Sequence, residues 1–127
     1  KEAELSIRQL ILIKPDYTEA HLNLGNIFKD LGKLKEAEMS YRKAIEINPN
    51  HAEAHYNLGH VLRYLKKLDN AISSYNTAAK LGINYNKCQV GIGRVLLEQG
   101  NQAEGLIKIK KGEGVITFNR KNGMSFN

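Results

Sequence analysis

The side chains with the most distinctive chemistry are few: one cysteine and four histidines. Cys88 would act as a nucleophile only with a base and an orienting group beside it, and the sequence assigns neither. His51 and His55 are four residues apart, a helical spacing at which two imidazoles can share a metal ion. No pair of carboxylates stands out from ordinary helix-surface charges. The sequence therefore predicts no catalytic constellation, no metal site and no cofactor, and the chain is not expected to be an enzyme by itself.

The segment Gly91-Ile92-Gly93 has the start of a dinucleotide-binding fingerprint. The third glycine is absent, because Leu96 occupies its position, and no predicted strand precedes the segment. We therefore expect both glycines to lie inside a helix rather than against a phosphate. No phosphate-loop motif occurs elsewhere.

Size and composition are those of an ordinary soluble domain, with 127 residues, 42% hydrophobic and 25% charged. No apolar run approaches the roughly 20 residues that cross a bilayer, and no membrane partner is expected. One cysteine cannot form an internal disulfide and no Asn-x-Ser/Thr sequon occurs, so a reducing, cytoplasmic setting is expected. Because Lys1 is not an initiator methionine, we expect a fragment of a longer product.

The net charge of +6 is unevenly distributed. Residues 1–51 carry eight basic and eight acidic side chains, whereas residues 86–127 carry seven basic and three acidic ones. The basic end is either a solvated tail or a surface that attracts nucleic acid, an acidic peptide or anionic lipid. Charge runs are usually solvated, so nucleic acid is the less favoured partner.

A repeat of 34 residues organises the chain. Residues 1–34 laid on residues 35–68 are identical at 18 of 34 positions. The unit 18–51 carries a spaced set of small and large apolar residues that returns from Ala52: Leu24-Gly25, Phe28, Ala37, Tyr41, Ala44 and Pro49, then Leu58-Gly59, Leu62, Ala71, Tyr75 and Ala78. This period and pattern resemble the tetratricopeptide repeat (TPR).

The resemblance implies an all-α, right-handed TPR α-solenoid of about three and a half helix-turn-helix units and seven helices. The expected divisions are a half repeat, two full repeats, a degenerate terminal repeat and a tail: 1–17, 18–51, 52–85, 86–114 and 115–127. The hydrophobic periodicity and breaks predict these helices: 1–13, Thr18–Leu31, Leu34–Ile47, His51–Leu65, Leu68–Leu81, Asn86–Gln99 and Gln102–Lys111.

Local signals predict the helix ends. Asp16 with Glu19 and Asn50 with Glu53 read as capping boxes, and Gly82 as a left-handed C-terminal cap. Gly112 and Gly114 are expected to stop the last helix. In residues 115–127, Asn122-Gly123 between apolar residues predicts a β-hairpin, with a linker or a disordered end as the alternatives.

The resemblance also assigns packing roles. The residues matching Gly25, Ala37 and Ala44 lie at tight helix contacts in this family, so a large residue at Gly59 or Ala71 should overpack the stack. His21 and His55 occupy a position where the family usually places a bulky aromatic between paired helices. We therefore expect half-buried packing rings rather than metal ligands, with His60 at the surface.

First helices line the concave side of such a stack. The helical period predicts three sets of groove-facing residues, one set per unit: Glu19, Leu22, Asn23, Asn26, Lys29 and Asp30; Glu53, Tyr56, Asn57, His60, Arg63 and Tyr64; and Lys87, Val90, Gly91, Arg94 and Leu97.

Asn23 and Asn57 resemble the asparagine ladder that grips an extended polypeptide backbone in the TPR superhelix of O-linked N-acetylglucosamine transferases. An amide suits this role because it both donates to and accepts from a peptide bond. Gly91 interrupts the ladder in the third unit. The alternative is that asparagine is merely tolerated at this exposed position. The carboxylate-gripping mode of heat-shock adaptors is not favoured, because Leu22 and Gly91 replace basic residues that it requires.

The expected function is a non-catalytic scaffold that binds an extended peptide or partner protein in the concave groove. The predicted binding residues are Asn23, Asn26, Tyr56, Asn57, His60, Arg63, Lys87 and Arg94. One alternative is a substrate-recruiting or oligomerising arm of a larger enzyme, such as a glycosyl- or sulfotransferase. Another is self-association through the N-terminal half repeat or the tail.

Overall fold

The computed structural model describes residues 2–113, and these residues form seven α-helices and no strand. In chain order the helices are α1 (Glu2–Ile13), α2 (Thr18–Asp30), α3 (Leu34–Ile47), α4 (Ala52–Tyr64), α5 (Leu68–Lys80), α6 (Tyr85–Glu98) and α7 (Gln102–Glu113). Six of them lie within one residue of their predicted bounds at both ends, because the apolar stripe and the glycine or proline breaks agree. The predicted hairpin at 115–127 lies outside the described residues.

Helices α2, α4 and α6 form the inner side of a curved stack. Each helix packs on the next one in the chain, and α2 also contacts α4, as α4 contacts α6. Within residues 2–113, no such direct contact joins α3 to α5 or α5 to α7. First helices are therefore closer together than second helices, which makes their side the concave one.

Both predicted capping boxes are wrong. Tyr17 and His51 are the N-cap residues of α2 and α4, one position later than predicted. The carboxylate of Glu19 lies 2.6 Å from Nε2 of His51, the N-cap residue of α4, instead of reaching back to its own helix start. Nδ1 of His51 accepts a hydrogen bond from the Ala54 amide at 3.3 Å, so one neutral tautomer satisfies both contacts.

The turns inside the units recur at one repeat position, where the backbone is left-handed. Gly32, Lys66 and Gly100 have φ values of 77°, 65° and 88°. In each turn the following amide closes a six-residue hydrogen-bonded ring on the preceding helix, as from Lys67 N to Leu62 O at 2.8 Å. Gly82, with φ of 103°, ends α5 in the same way, as predicted.

Two fully buried tyrosines fill contacts between helices. A Cβ added at Gly25 would lie 2.6 Å from the Tyr41 ring, so α2 needs glycine there. The Tyr75 ring lies between two glycines, 3.0 Å from a Cβ added at Gly59 and 2.6 Å from one added at Gly91. Ala71 is completely buried, which agrees with its predicted packing role.

The last helix contradicts the prediction that Gly112 stops it, since α7 runs on to Glu113. Gly112 instead lets α7 approach α6, because an added Cβ would clash with the Asn86 carbonyl oxygen. Gly93 and Gly105 face each other in the same way, and a Cβ on Gly93 would lie 2.6 Å from the Gly105 oxygen. Gly112, which suggested a break in the sequence, is thus a packing contact.

Replacing Gly93 with alanine should destabilise the protein by about 1–3 kcal/mol, because the new methyl group meets the backbone of α7. Gly59→Ala is the matched control and should lose less, since its methyl meets the Tyr75 side chain at 3.0 Å rather than backbone, and about 1 kcal/mol of gained helix propensity offsets part of that contact. Urea unfolding followed by circular dichroism measures both. Equal losses in the two variants would contradict the close approach of α6 and α7.

Replacing Lys66 with glycine should stabilise the protein by about 0.5–1 kcal/mol, because Lys66 is the one non-glycine residue with positive φ among residues 2–113. Lys66→Ala removes the same exposed ion pair with Glu98 but keeps the left-handed strain, so it should not stabilise. The comparison is again urea unfolding. A gain in Lys66→Ala equal to that in Lys66→Gly would rule out backbone strain as the cause.

Candidate concave binding site

The candidate site lies on the inner side of α2, α4 and α6, and two of its predicted asparagines are engaged inside the stack. Oδ1 of Asn26 accepts hydrogen bonds from the Tyr41 hydroxyl at 2.5 Å and from Nδ2 of Asn57 at 3.2 Å. Asn57 is buried. This pair joins α2 to α4 and anchors a core tyrosine, so its amide groups are partly used by the fold.

His60 is the repeat equivalent of Asn26 and holds the second tyrosine. A hydrogen bond of 2.8 Å joins Nδ1 of His60 to the Tyr75 hydroxyl. Burial, together with the positive charges of Lys29, Arg63 and Arg94, lowers the pKa of His60 to about 4. The imidazole is therefore neutral at pH 7 and can accept from Tyr75 as Asn26 accepts from Tyr41. The predicted surface residue is half-buried.

Arg63 is also engaged within the stack. Its Nη1 donates to the Glu98 carboxylate on α6 at 2.9 Å, and the guanidinium lies 4.6 Å from the Tyr64 ring centroid. Only 8% of the residue is exposed. Sequence reasoning missed this link because Glu98 lies 35 residues away, one position beyond the repeat period.

Leu22 is a further correction on this surface. It was predicted to face the groove but is 2% exposed and belongs to the core. Asn23, its neighbour, is exposed and makes no side-chain hydrogen bond among residues 2–113. Of the two predicted ladder positions, Asn23 thus presents an unengaged amide in the described part of the chain, while Asn57 does not.

Four of the predicted residues meet in one cleft between α4, α6 and the end of α7. Tyr56, His60, Lys87 and Arg94 line it, and its volume is about 360 Å³. The half-buried Tyr56 ring meets the His60 and Tyr75 rings edge to face, at centroid distances of 4.6 and 5.7 Å. The cleft therefore has an aromatic floor with cations on the α6 side.

Three lining residues of this cleft were not predicted: Asn84, Asn86 and Gly112. Asn84 caps α6 by accepting from the Lys87 amide at 3.1 Å. Gly112 reaches the cleft only because α7 approaches α6 closely. A search for binding residues on first helices could not find a residue that belongs to a second helix.

His21, His55 and Cys88 contribute to the fold rather than to the candidate site. Nε2 of His21 lies 2.8 Å from the Pro15 carbonyl oxygen, and Nε2 of His55 lies 2.8 Å from that of Pro49. Each ring thus binds the turn that precedes its helix. Cys88 is buried, and this burial raises the pKa of its thiol, which disfavours the nucleophilic thiolate.

Residues 2–113 form neither a cluster of metal ligands nor a helix that could span a membrane. No group of three or more His, Cys, Asp or Glu side chains is placed to hold a metal ion. In the same range, every helix is too short or too polar to cross a membrane.

Comparison with known structures finds helical repeat proteins. A crystal structure of MamA superposes with a TM-score of 0.80 at 22% identity, over 87% of this chain and 65% of that one. A second MamA structure gives 0.76 at 26% identity, over 88% and 64%. YrrB, described as a TPR protein with an unusual peptide-binding site, gives 0.75 at 19% identity, over 87% and 57%. The chain thus spans less than two thirds of the length of each neighbour.

Sequence comparison agrees over the central units. No significant match to a curated protein was found. Residues 25–63 match a family model described as a TPR repeat, and residues 52–82 match one described as a tetratricopeptide repeat. The chain carries tetratricopeptide repeats, and its fold is an all-α TPR solenoid.

Proposed function

We propose that this chain is a non-catalytic scaffold that binds an extended peptide segment of a partner protein in its concave groove. The observation that carries the proposal is the cleft at Tyr56, His60, Lys87 and Arg94, which joins an aromatic floor to exposed cations. TPR folds are typically non-catalytic, and the TPR repeats and the MamA and YrrB neighbours support a protein-interaction scaffold.

The groove offers two kinds of contact to a peptide. Asn23 supplies an exposed amide, which can donate to and accept from a peptide bond. Tyr56 supplies a half-buried ring for an apolar side chain. Since Asn57 is engaged with Asn26, a ladder like that of the O-linked N-acetylglucosamine transferases would have one accessible rung in the first two units. We therefore expect most contacts with the peptide to lie in the cleft between the second and third units.

The same groove would serve if the chain were an arm of a larger enzyme, and that alternative stays a prediction. Self-association also stays a prediction. It has one supporting observation, since Leu5, Leu12 and Ile13 on α1 are 62%, 82% and 76% exposed.

Peptide binding is tested by selecting displayed random twelve-residue peptides on the protein and measuring affinities by fluorescence anisotropy. We expect Asn23→Ala/Tyr56→Leu to weaken selected peptides about fivefold or more, since it removes an amide and an aromatic anchor. Tyr56→Leu installs the residue that Leu22 provides at the equivalent position and so preserves the helix packing.

Asn76→Ala is the matched control, because Asn76 is an exposed asparagine on a second helix. Amide shifts of the isotope-labelled protein should map to α2, α4 and α6. Shifts confined to α3 and α5, or no selectable peptide at all, would disprove the concave groove as the binding site.

The neutral state of His60 predicts a pH effect on stability. Its folded pKa is about 4, below the ordinary value of 6.5, so the unfolded chain takes up the proton first as the pH falls. The contribution of neutral His60 to the free energy of unfolding is fully present above pH 6.5. As the pH falls towards 4, the free energy of unfolding should decrease by about 1–3 kcal/mol. Urea unfolding at pH 7.5 and 4.5 measures the loss.

His60→Asn is the control for this effect, because asparagine does not titrate and already holds the equivalent tyrosine at Asn26. The variant should lose less stability than the wild type over the same pH range. An equal loss in the two proteins would mean that His60 takes up its proton in the folded protein as readily as in the unfolded chain, and its pKa would then not be lowered.

A further inference from the structure

The cleft between α4 and α6 is positively charged. Among residues 2–113, its lining includes Lys87 and Arg94 and no carboxylate. The remaining lining is uncharged, with the neutral His60 and the Tyr56 ring on the α4 side and Val90 and Gly91 on the α6 side. A ligand that enters meets two cations on one wall and an aromatic surface on the other.

The positive charge at Lys87 replaces a negative charge found at the same repeat position in the other two units. Glu19 and Glu53 occupy in α2 and α4 the repeat position that Lys87 occupies in α6. Lys87 lies in the first turn of α6, where a cation is unfavourable for the helix dipole, and that turn has no acidic residue. Helix stability therefore does not explain the lysine.

The two cations are also unpaired in the described part of the chain. Residues 2–113 place no carboxylate within 4.0 Å of the charged nitrogens of Lys87 or Arg94. In contrast, nearby Arg63 and Lys66 share the Glu98 carboxylate. Within residues 2–113, Arg63 and Lys66 are thus used in an ion pair, whereas Lys87 and Arg94 are not.

Their spacing sets a length for the ligand. Lys87 and Arg94 are seven residues apart on α6, two helical turns or about 10.5 Å along the axis. In a polyproline II segment, residues i and i+3 lie on one face and about 9.3 Å apart. In a β-strand, same-face residues lie about 6.6 or 13 Å apart, which fits less well.

We propose that this cleft selects a peptide with two acidic side chains at positions i and i+3 of a polyproline II segment, one carboxylate at Lys87 and the other at Arg94, with an intervening apolar side chain on Tyr56. The inference rests on the proposed function and specifies the partner segment. A nucleic acid is the weaker candidate, because two cations neutralise about two phosphates and give little affinity.

The test measures fluorescence anisotropy of labelled ten-residue peptides at 50 and 200 mM salt. The core sequence is Glu-Pro-Leu-Glu, and the neutral counterpart is Gln-Pro-Leu-Gln. We expect the acidic peptide to bind about fivefold more tightly at low salt, as two exposed ion pairs would give, and to lose most of this advantage at high salt. Glu-Leu-Glu and Glu-Pro-Leu-Pro-Glu should bind more weakly, because their carboxylates miss one cation.

Lys87→Gln and Arg94→Gln should each lower the preference for the acidic peptide about twofold. Lys80→Gln is the matched control, since Lys80 is an exposed lysine on α5 and its replacement changes the net charge equally. Lys87→Glu/Arg94→Glu should prefer Lys-Pro-Leu-Lys, a reversal that general destabilisation cannot produce.

Equal binding of the acidic and neutral peptides would overturn this inference and leave the proposed function standing. The inference would also be overturned if Lys80→Gln lowered the preference for the acidic peptide as much as Lys87→Gln and Arg94→Gln do. Equal affinity for the peptides with Glu at i and i+2, i and i+3, and i and i+4 would overturn it as well. A single-stranded oligonucleotide that binds more tightly and displaces the peptide would overturn it in favour of nucleic acid. Absence of binding by every peptide, including those from the random selection, would reject the proposed function itself.

Discussion

The buried tyrosines of α3 and α5 make the contacts on which the stack depends. Tyr41 and Tyr75 are fully buried, and each ring lies against a glycine of a first helix. A side chain at that glycine would push the first helix away from its partner. The hydroxyl needs a hydrogen bond in this buried setting, and Asn26 or His60 supplies it. The glycine, the tyrosine and the polar partner therefore depend on one another, because a change in one disturbs the contact made by the other two.

This requirement divides the concave surface into residues used by the fold and residues available to a ligand. Asn26 and Asn57 bind each other and Tyr41, and Arg63 binds Glu98. Their polar groups face the groove in the helical period, yet the stack already uses several of them. Position in a repeat therefore says where a side chain points, whereas its hydrogen-bond partners decide whether it can bind a second molecule.

The fold could be predicted from the sequence because one pattern is repeated. The spacing of Gly25, Ala37 and Tyr41 returns in the next unit, and Gly82 ends α5 where expected. The errors concern contacts between helices. Glu19 was predicted to cap its own helix but meets His51, the N-cap residue of α4, and Gly112 was predicted to end a helix that it instead packs against α6. Both outcomes depend on the distance between neighbouring helices, which a linear pattern does not contain.

The third unit keeps the shared glycine, as Gly93, but that glycine meets α7 at Gly105 and Ile109 instead of a tyrosine, and the groove residues change as well. Gly91 replaces the asparagine found at Asn57, and the Tyr75 ring fills the space that a side chain would take. The loss of that amide removes a backbone-gripping group, while Arg94 stands where His60 holds its tyrosine in the preceding unit. α6 is followed by no further second-helix tyrosine, because Ile109 occupies that repeat position. With no hydroxyl to bind, the residue at position 94 is released from a packing role, and a charged side chain becomes compatible with the stack.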